Sequence, residues 1–361
     1  MSDSDDGEVD KVLIASVHDV KYVMSLLRGV QFGSRATVRA TSGGLSVTVE
    51  EARTLLATAF IFKDIFDEYS YHPEVVPASQ GLSSQPSSQP QEEGEPTAFE
   101  VPLNTLIECL SVLGNIGGST SSSKHRLWHT GNSDQEGEQE EGSSNRANST
   151  RNRGPANGRI DQYFAGDKGT GMRLSYVGAG YPLTLLMAEE ASGPTATCEV
   201  TTFEAEPMLE LDFLESPTVL KIILKSSWLR DALSELDPTC EKLTIIGNPP
   251  PPPGRASRAS GPPRLRLQAV GTFGSTEMDY PSDKEVLETC ECEQQVRFSY
   301  LFKHIVRASR ALQNSTKTSL RINEEGMLSL QLISPTARPR HDGGNTSGFI
   351  EFRCLPLDED P

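Results

Sequence analysis

The sequence predicts an α+β protein of two topologically similar domains, each built from antiparallel strands and two helices. Short segments with the two-residue alternation of strands are interrupted four times by segments with the 3.6-residue periodicity of helices. The order strand, helix, several strands, helix and three strands occurs in the first half of the chain and again in the second half. Antiparallel sheets with helices on one face form a layered α+β domain.

In the first half, Asp19 near an N-cap and Gly29 near a helix end frame an amphipathic helix at 19–30. A Gly43-Gly44 turn separates two strands of the same half. We expect strands at 11–17, 36–41, 45–50, 55–60 and 65–71, a second helix at 103–113, and strands at 172–177, 183–188 and 195–202.

The second half repeats this order. We expect a strand at 219–224, a helix at 226–236, strands at 241–246, 265–270, 275–280 and 286–297, a helix at 300–313, and strands at 318–322, 328–333 and 349–354.

Three segments lack both periodicities and are rich in Ser, Gly, Gln, Asn, Glu or Pro: 77–96, 114–159 and 248–263. Such segments cannot bury enough apolar area to offset the entropy of ordering them, so we expect disordered inserts. The predicted domains are therefore 9–203, which contains the first two inserts, and 218–356, which contains the third. A linker at 204–217 joins them.

The composition excludes several classes of protein. The net charge of −17, from 33 Lys and Arg against 50 Asp and Glu, means that any contact with nucleic acid must come from a local basic face. The sequence contains neither a secretory signal nor an apolar run of about 18 residues, so we expect an intracellular protein with reduced thiols and no membrane contact. Cys290 and Cys292 lack a second cysteine pair, and we expect no metal and no cofactor.

Six segments carry a family resemblance: LNTLIECLSVLG, GAGYPLTLLMAEE, LKSSWLRDALSELD, TFGSTEMDYPSD, EGMLSLQLI and FIEFRCLPLDED, which begin at residues 103, 178, 224, 272, 325 and 349. With the duplicated element order, the chain resembles the sliding-clamp fold of proliferating cell nuclear antigen. Its local sequence is similar to the Rad-one (Rec-one) family of the heterotrimeric nine-one-one checkpoint clamp. The segments follow the family's order across both domains, and the three inserts depart from it.

This resemblance implies one subunit of a ring-shaped DNA clamp that acts as a scaffold in damage checkpoint signalling and repair. It implies two sister subunits, Rad-nine-like and Hus-one-like, and a checkpoint clamp loader. It also implies double-stranded DNA in the hole of the ring, a damage-response kinase as a partner, and residence in the nucleus.

In a clamp, the helices line the hole, and their polar faces need cations that contact phosphates without reading bases. Lys303, Arg307 and Arg310 lie at helical spacing opposite an apolar stripe of Leu301, Ile305, Ala308 and Leu312. The other helices offer Lys21, Arg28 and Arg230. We expect these six cations to face DNA, although an ordinary solvated helix face gives the same spacing.

The linker and the C-terminal tail border a groove for partner peptides in related clamps. Here the apolar wall of that groove would consist of Met208, Leu211, Phe213, Leu355 and Pro356. The same residues could equally pin the linker to its own domain.

The first insert contains three Ser-Gln dipeptides, at Ser79, Ser84 and Ser88. Checkpoint kinases of the phosphatidylinositol-kinase-like class prefer Ser-Gln, so these serines are candidate phosphorylation sites. The Ser- and Gln-rich composition of the insert alone could also produce such dipeptides.

A 3′–5′ exonuclease is the competing function, because the Rad-one family has carried that label. A two-metal nuclease needs carboxylates that converge on ions about 3.5–4 Å apart. The candidate carboxylates are Glu50 with Glu51, Asp64 with Asp67 and Glu68, Glu189 with Glu190, and Asp212 with Glu215. None of these groups matches a recognisable nuclease signature.

Overall fold

The first half of the chain alternates strands and helices in the predicted order. The computed structural model describes residues 11–73, 96–114, 169–189, 193–250, 262–334 and 348–358, all within one compact unit. The elements of the first half are β1 (Leu13–Val17), α1 (Val20–Gly29), β2 (Arg35–Thr41), β3 (Gly44–Glu51), β4 (Leu55–Phe62), a 3-10 turn (Lys63–Ile65), β5 (Glu68–Tyr71), β6 (Thr97–Pro102), α2 (Leu103–Gly114), β7 (Gly171–Tyr176), β8 (Leu183–Ala188) and β9 (Thr195–Val200).

The second half repeats the same sequence of elements after a short connecting strand, β10 (Phe203–Glu204). Its elements are β11 (Thr218–Lys225), α3 (Ser226–Glu235), β12 (Cys240–Gly247), β13 (Leu265–Gly271), β14 (Gly274–Tyr280), β15 (Leu287–Cys292), β16 (Val296–Leu301), α4 (Phe302–Val306), α5 (Ser309–Asn314), β17 (Lys317–Asn323), β18 (Leu328–Ser334) and β19 (Gly348–Cys354).

Strand pairing is the same in both halves. The first half has the strand orders β5-β1-β7-β8-β9 and β6-β2-β3-β4, and the second half has β15-β11-β17-β18-β19 and β16-β12-β13-β14. All of these pairs are antiparallel. The predicted α+β fold with two similar domains is therefore confirmed.

The two halves join through one additional strand pair, which we call the seam. Strand β4 pairs with β19 in a register that runs from Phe60 opposite Phe349 to Leu55 opposite Cys354. The Phe60 and Phe349 rings stack with centroids 4.5 Å apart. This pairing merges four strands of the first half with five of the second and, with β10, forms a ten-stranded sheet. Strands β9 and β14 remain at the outer edges of the two smaller sheets.

The helices pack side by side in the order α2, α1, α5 and α3. Helix α1 begins at the N-cap Asp19, whose side chain accepts a hydrogen bond from the Lys21 N–H. The helices bury their apolar faces on the sheets, and one hydrophobic core runs through both halves. No helix among the described residues is both long and apolar enough to cross a membrane.

Two predicted elements are each divided. The strand predicted at 286–297 is two strands, β15 and β16, which belong to different sheets. The helix predicted at 300–313 begins only at Phe302, because Tyr300 and Leu301 pair with β12, where Tyr300 is fully buried. It is then interrupted between α4 and α5, where the Arg307 and Ala308 N–H groups bond to carbonyls three residues earlier.

Other boundaries also differ from the prediction. The strand predicted at 65–71 begins only at Glu68, after the 3-10 turn, and β6 and β10 were not predicted. The insert predicted at 248–263 is ordered at both ends. Asn248 is buried, its N–H donates to the Arg264 carbonyl at 3.1 Å, and its side chain donates to the Pro263 carbonyl at 2.7 Å. Residues 251–261, 77–95 and 115–159 of the three inserts lie outside the described residues.

Gly44→Ala should destabilise the fold strongly. Gly44 has φ +139°, and a Cβ there would lie 2.3 Å from the backbone carbonyl oxygen of Ile61. The expected loss of unfolding free energy is about 2–3 kcal/mol, measured by denaturant titration. Gly43→Ala is the matched control, since only the Thr41 hydroxyl lies within 4 Å of its added Cβ. Equal losses at the two positions would contradict this explanation.

Candidate nucleic-acid interface and linker cluster

The predicted DNA-facing cations lie on the row of helices. Lys21 and Arg28 are exposed on α1, and Lys303 and Arg310 are exposed on α4 and α5. Opposite them, Ile305, Ala308 and Leu312 are buried as the predicted stripe requires, whereas Leu301 is a half-buried strand residue. The remaining two predicted cations differ in setting: Arg307 is exposed between α4 and α5, and Arg230 is half-buried on α3.

Polar side chains link neighbouring helices on this surface. The Arg28 guanidinium donates to the Ser111 hydroxyl on α2 at 3.3 Å. Gln31 donates to the Asn104 side chain on α2 at 2.9 Å and accepts from Arg310 on α5 at 3.3 Å. Arg28 and Arg310 are therefore held beside uncharged polar groups, an arrangement that leaves their charge available to an anion.

Two of the predicted cations already have carboxylate partners. Arg307 forms a bidentate ion pair with Glu51, with N···O distances of 2.8 and 3.1 Å. Arg230 pairs with its neighbour Asp231 at 2.8 Å. In contrast, Lys21 and Lys303 have no ion pair within the described ranges. A phosphate would compete with Glu51 for Arg307 but not with any described carboxylate for Lys21 or Lys303.

Among the described residues, the candidate nuclease carboxylates do not converge. No group of three or more His, Cys, Asp or Glu residues is placed to hold a metal ion in the part of the chain that the structure describes. Glu51 pairs with Arg307, and a Glu50 oxygen accepts the Leu209 N–H at 3.0 Å. Asp67 pairs with His18 at 2.7 Å and Glu68 with Arg173 at 3.5 Å.

The remaining candidate carboxylates give no cluster either. The Asp212 side chain accepts the Leu214 N–H at 2.9 Å, and Glu215 is exposed. Asp64 lies in the 3-10 turn and Glu189 directly after β8. Glu190 lies outside the described residues.

The linker is pinned to the sheet by a small apolar cluster, which we call the linker cluster. Leu211 and Phe213 are buried against Leu56 and Met327, with Leu209 and Leu355 packed around them. Met208, Leu355 and Pro356 are only half-buried. Two of the five residues predicted to line a partner groove, Leu211 and Phe213, are thus buried in the linker's own contact with the sheet.

A buried carboxylate organises the polar side of this cluster. Glu351 on β19 is 4% exposed and accepts hydrogen bonds from Ser329 at 2.7 Å and from Arg353 at 2.8 Å. Arg353 in turn donates to the Leu211 carbonyl, and the Arg321 guanidinium lies 5.1 Å from the centroid of the Phe213 ring. Arg321 also lies 3.5 Å from a Glu351 oxygen. Because burying an unpaired carboxylate is costly, the two arginines stabilise Glu351, and they also contact the linker.

Sequence patterns gave no signal for this network or for a second buried polar group, His304. The His304 side chain is 2% exposed and lies 3.9 Å from the Cys354 thiol. Burial lowers the pKa of His304 below its usual value, so the imidazole stays neutral near physiological pH. Strand and helix periodicities mark burial, but they do not show which buried polar residues contact one another.

The candidate phosphorylation sites Ser79, Ser84 and Ser88 lie outside the described residues.

A family model described as Rad1: Repair protein Rad1/Rec1/Rad17 matches residues 12–334. The chain belongs to this family. Human cell cycle checkpoint protein RAD1 is 29% identical over 349 residues, covering 97% of this chain and 93% of the relative. DNA damage checkpoint control protein rad1 of Schizosaccharomyces pombe is 29% identical over 339 residues, and the match covers 94% of this chain and 84% of the relative. The expected Rad-one family resemblance is confirmed.

One further relative is named for an enzyme activity. The DNA repair exonuclease REC1 of Mycosarcoma maydis is 25% identical over 450 residues, which span 96% of each chain. Among solved structures, Proliferating Cellular Nuclear Antigen from Entamoeba histolytica superposes with a TM-score of 0.59 at 12% identity, covering 96% of this chain and all of that one. This likeness confirms the sliding-clamp fold.

Phe213→Ala should destabilise the protein by about 3–5 kcal/mol, because it leaves a cavity in the linker cluster. The measurement is chemical denaturation of the purified chain. Leu214→Ala is the control, since Leu214 is 83% exposed and its removal should change stability by less than about 0.5 kcal/mol. A Phe213→Ala protein as stable as the control would show that the linker is not pinned.

Proposed function

We propose that this chain is one subunit of a ring-shaped heterotrimeric DNA clamp that acts as a scaffold in DNA damage checkpoint signalling and repair. Family membership and the clamp fold support the checkpoint clamp role. The observation that carries the ring assembly is the position of the two outer edge strands, β9 and β14, in the duplicated topology.

Each outer edge is the counterpart of a strand that already pairs inside the chain. Strand β14 occupies the position in the second half that β4 occupies in the first, and β9 occupies the position of β19. Since β4 and β19 pair at the seam, β14 of this subunit would pair with the strand of the next subunit that corresponds to β9. Repeated head-to-tail contacts of this kind close into rings when the rotation allows.

The same operation extends the row of helices. Within the chain, α1 packs on α5 beside the seam. Between subunits, α3 would pack on the helix of the next subunit that corresponds to α2, so the helices would form one continuous inner surface. The cations Lys21, Arg28, Lys303, Arg307, Arg310 and Arg230 then contact phosphates of double-stranded DNA without reading bases.

The checkpoint names of the relatives support the further partners. We propose as partners two sister subunits, Rad-nine-like and Hus-one-like, a checkpoint clamp loader and a damage-response kinase. The complex would act in the nucleus. The groove beside Met208, Leu211, Phe213, Leu355 and Pro356 would admit a partner peptide only if the linker side chains moved. The domain division at 9–203, 204–217 and 218–356 is part of the same proposal.

A topological experiment tests the ring. The chain is co-purified with both sister subunits, its native mass is measured, and the complex is loaded onto nicked circular DNA by the clamp loader. We expect a complex with one copy of each subunit that stays on circular DNA at high salt and is lost when the DNA is linearised. Loss at the same rate from circular and linear DNA would refute the ring.

Lys21→Ala with Lys303→Ala should weaken retention on DNA equally for different sequences. Each lost phosphate contact lowers the slope of log affinity against log salt by about 0.9, so the double variant should lose about 1.8. Lys221→Ala is the control, because Lys221 lies on β11 and pairs with Glu291 at 3.2 Å. An unchanged salt slope in the double variant would exclude these lysines from the DNA-facing surface.

An exonuclease is the second candidate, favoured only by the name of the Mycosarcoma maydis relative. Asp67, which is adjacent to Glu68, pairs with His18 at 2.7 Å. The purified chain should be incubated with Mg²⁺ or Mn²⁺ and 3′-labelled DNA, beside Asp67→Asn with Glu68→Gln. Label release that is abolished in the double variant would support the enzyme, and release no greater than that of a no-protein control would favour the scaffold.

Phosphorylation of Ser79, Ser84 or Ser88 by the damage-response kinase is the remaining part of the proposal. Each phosphate would add about −1.5 to −2 charges to the first insert. Phosphopeptide mapping before and after DNA damage tests this part of the proposal. A map in which all three serines stay unmodified after damage would count against it.

A further inference from the structure

The seam gives residue-level counterparts for the outer edge formed by α3 and β14. Buried positions of α1 and α3 match in order, with Val20, Val23 and Leu27 corresponding to Ser226, Leu229 and Leu233. This alignment assigns further counterparts on the two helices: Tyr22 to Trp228, Ser25 to Asp231, and Gly29 to Glu235. On the strands, the pair Gly271–Gly274 that ends the β13–β14 ladder corresponds to the pair Glu51–Leu55 that ends the β3–β4 ladder. This correspondence aligns the residues of β14 with those of β4.

At the seam, the first-half positions are small, neutral or aromatic. Ser25 accepts a hydrogen bond from Asn314 at 3.4 Å, and a Cβ on Gly29 would lie 3.3 Å from that of Ala311. The Tyr22 hydroxyl accepts the Gly348 N–H at 2.6 Å. Close packing here therefore depends on the absence of charge at these three positions of α1.

The same positions on the outer edge are acidic. Asp231 and Glu235 are exposed on α3, and Glu277 and Asp279 are exposed on β14, where they correspond to Thr58 and Phe60.

Two arginines partly offset these four acids. Arg230 pairs with Asp231 at 2.8 Å, and Arg266 pairs with Glu277 at 2.9 Å and with Asp279 at 2.6 Å. Trp228, the counterpart of Tyr22, is 43% exposed beside them and offers an apolar contact. The α3–β14 edge is thus a partly apolar surface with excess negative charge.

The opposite edge of the same chain, formed by α2 and β9, cannot neutralise that charge. It presents the exposed acids Glu108 and Glu199, and neither element carries a Lys or Arg among its described residues. If β9 met β14 in the register of the seam, Thr197 would face Glu277 and Glu199 would face Ser275. Glu199 and Glu277 would then be diagonal neighbours of like charge, which is unfavourable across paired strands.

We infer that the α3–β14 edge binds a clamp subunit whose facing strand and helix carry Lys or Arg. The inference rests on the proposed head-to-tail assembly and specifies the chemistry of one partner. Complementary charges at such an edge favour the correct neighbour, and like charges reject the wrong one. The facing cations would lie opposite Asp231, Glu235, Glu277 and Asp279.

The test is a charge reversal of exposed acids at this edge. Asp231→Lys, Glu235→Lys and Glu277→Lys are combined, and binding to each sister subunit is measured separately at low and high salt. We expect binding to one sister subunit to weaken at least about tenfold at low salt, with a smaller difference at high salt, and binding to the other to stay unchanged. The control combines Glu241→Lys, Glu293→Lys and Glu324→Lys, three exposed acids outside α3 and β14.

The outcomes separate this inference from the proposed clamp. Equal binding of the charge-reversed and control proteins to both sister subunits would overturn the inference while the clamp stands. A closed ring formed by the unmodified chain alone, seen by native mass measurement, would also overturn it. If the unmodified chain binds neither sister subunit, the heterotrimeric clamp itself fails. Far-UV circular dichroism of both variants shows whether each remains folded, and Glu277→Lys alone, which leaves α3 intact, repeats the measurement if the triple variant unfolds.

Discussion

The antiparallel pairing of β4 with β19 is the constraint on which the rest of the structure depends. It closes one hydrophobic core across both halves and aligns four helical segments into a single row. It also fixes the register at which the halves meet, because a shift of one residue would turn Phe60 and Phe349 to opposite faces. The outer edge strands β14 and β9 correspond to β4 and β19, so this pair is also the template for contacts between neighbouring subunits.

Sequence periodicity was sufficient for the repeated order of elements, since most strands and helices bury one face and show it as a regular apolar pattern. It failed where an element changes sheets or length. Residues 286–297 keep a strand-like pattern through a turn, and the helical spacing of residues 300–313 includes Tyr300, although its buried side chain belongs to β16. Strand β6 was missed because its six residues lie between an insert and a helix.

The candidate site was predictable to a lesser degree. Helical spacing correctly marked which cations of α1, α4 and α5 are exposed, because burial of the opposite stripe determines that face. Spacing within one helix could not reveal that Glu51, 256 residues away in the sequence, pairs with Arg307. Nor could it reveal that Arg321 and Arg353, which pair with Glu351, also contact the linker. Such contacts are set by strand register and by long-range packing, which one local pattern does not contain.

The tie between Asn248 and Arg264 closes the base of the third insert, so the two strands that flank it keep their register whatever the length of the chain between them. The entropy of closing a loop grows only slowly with its length. Over evolutionary time this site can therefore gain or lose residues with little effect on the sheet. For the same reason, it is a suitable position at which to insert a fluorescent protein for following the molecule in living cells.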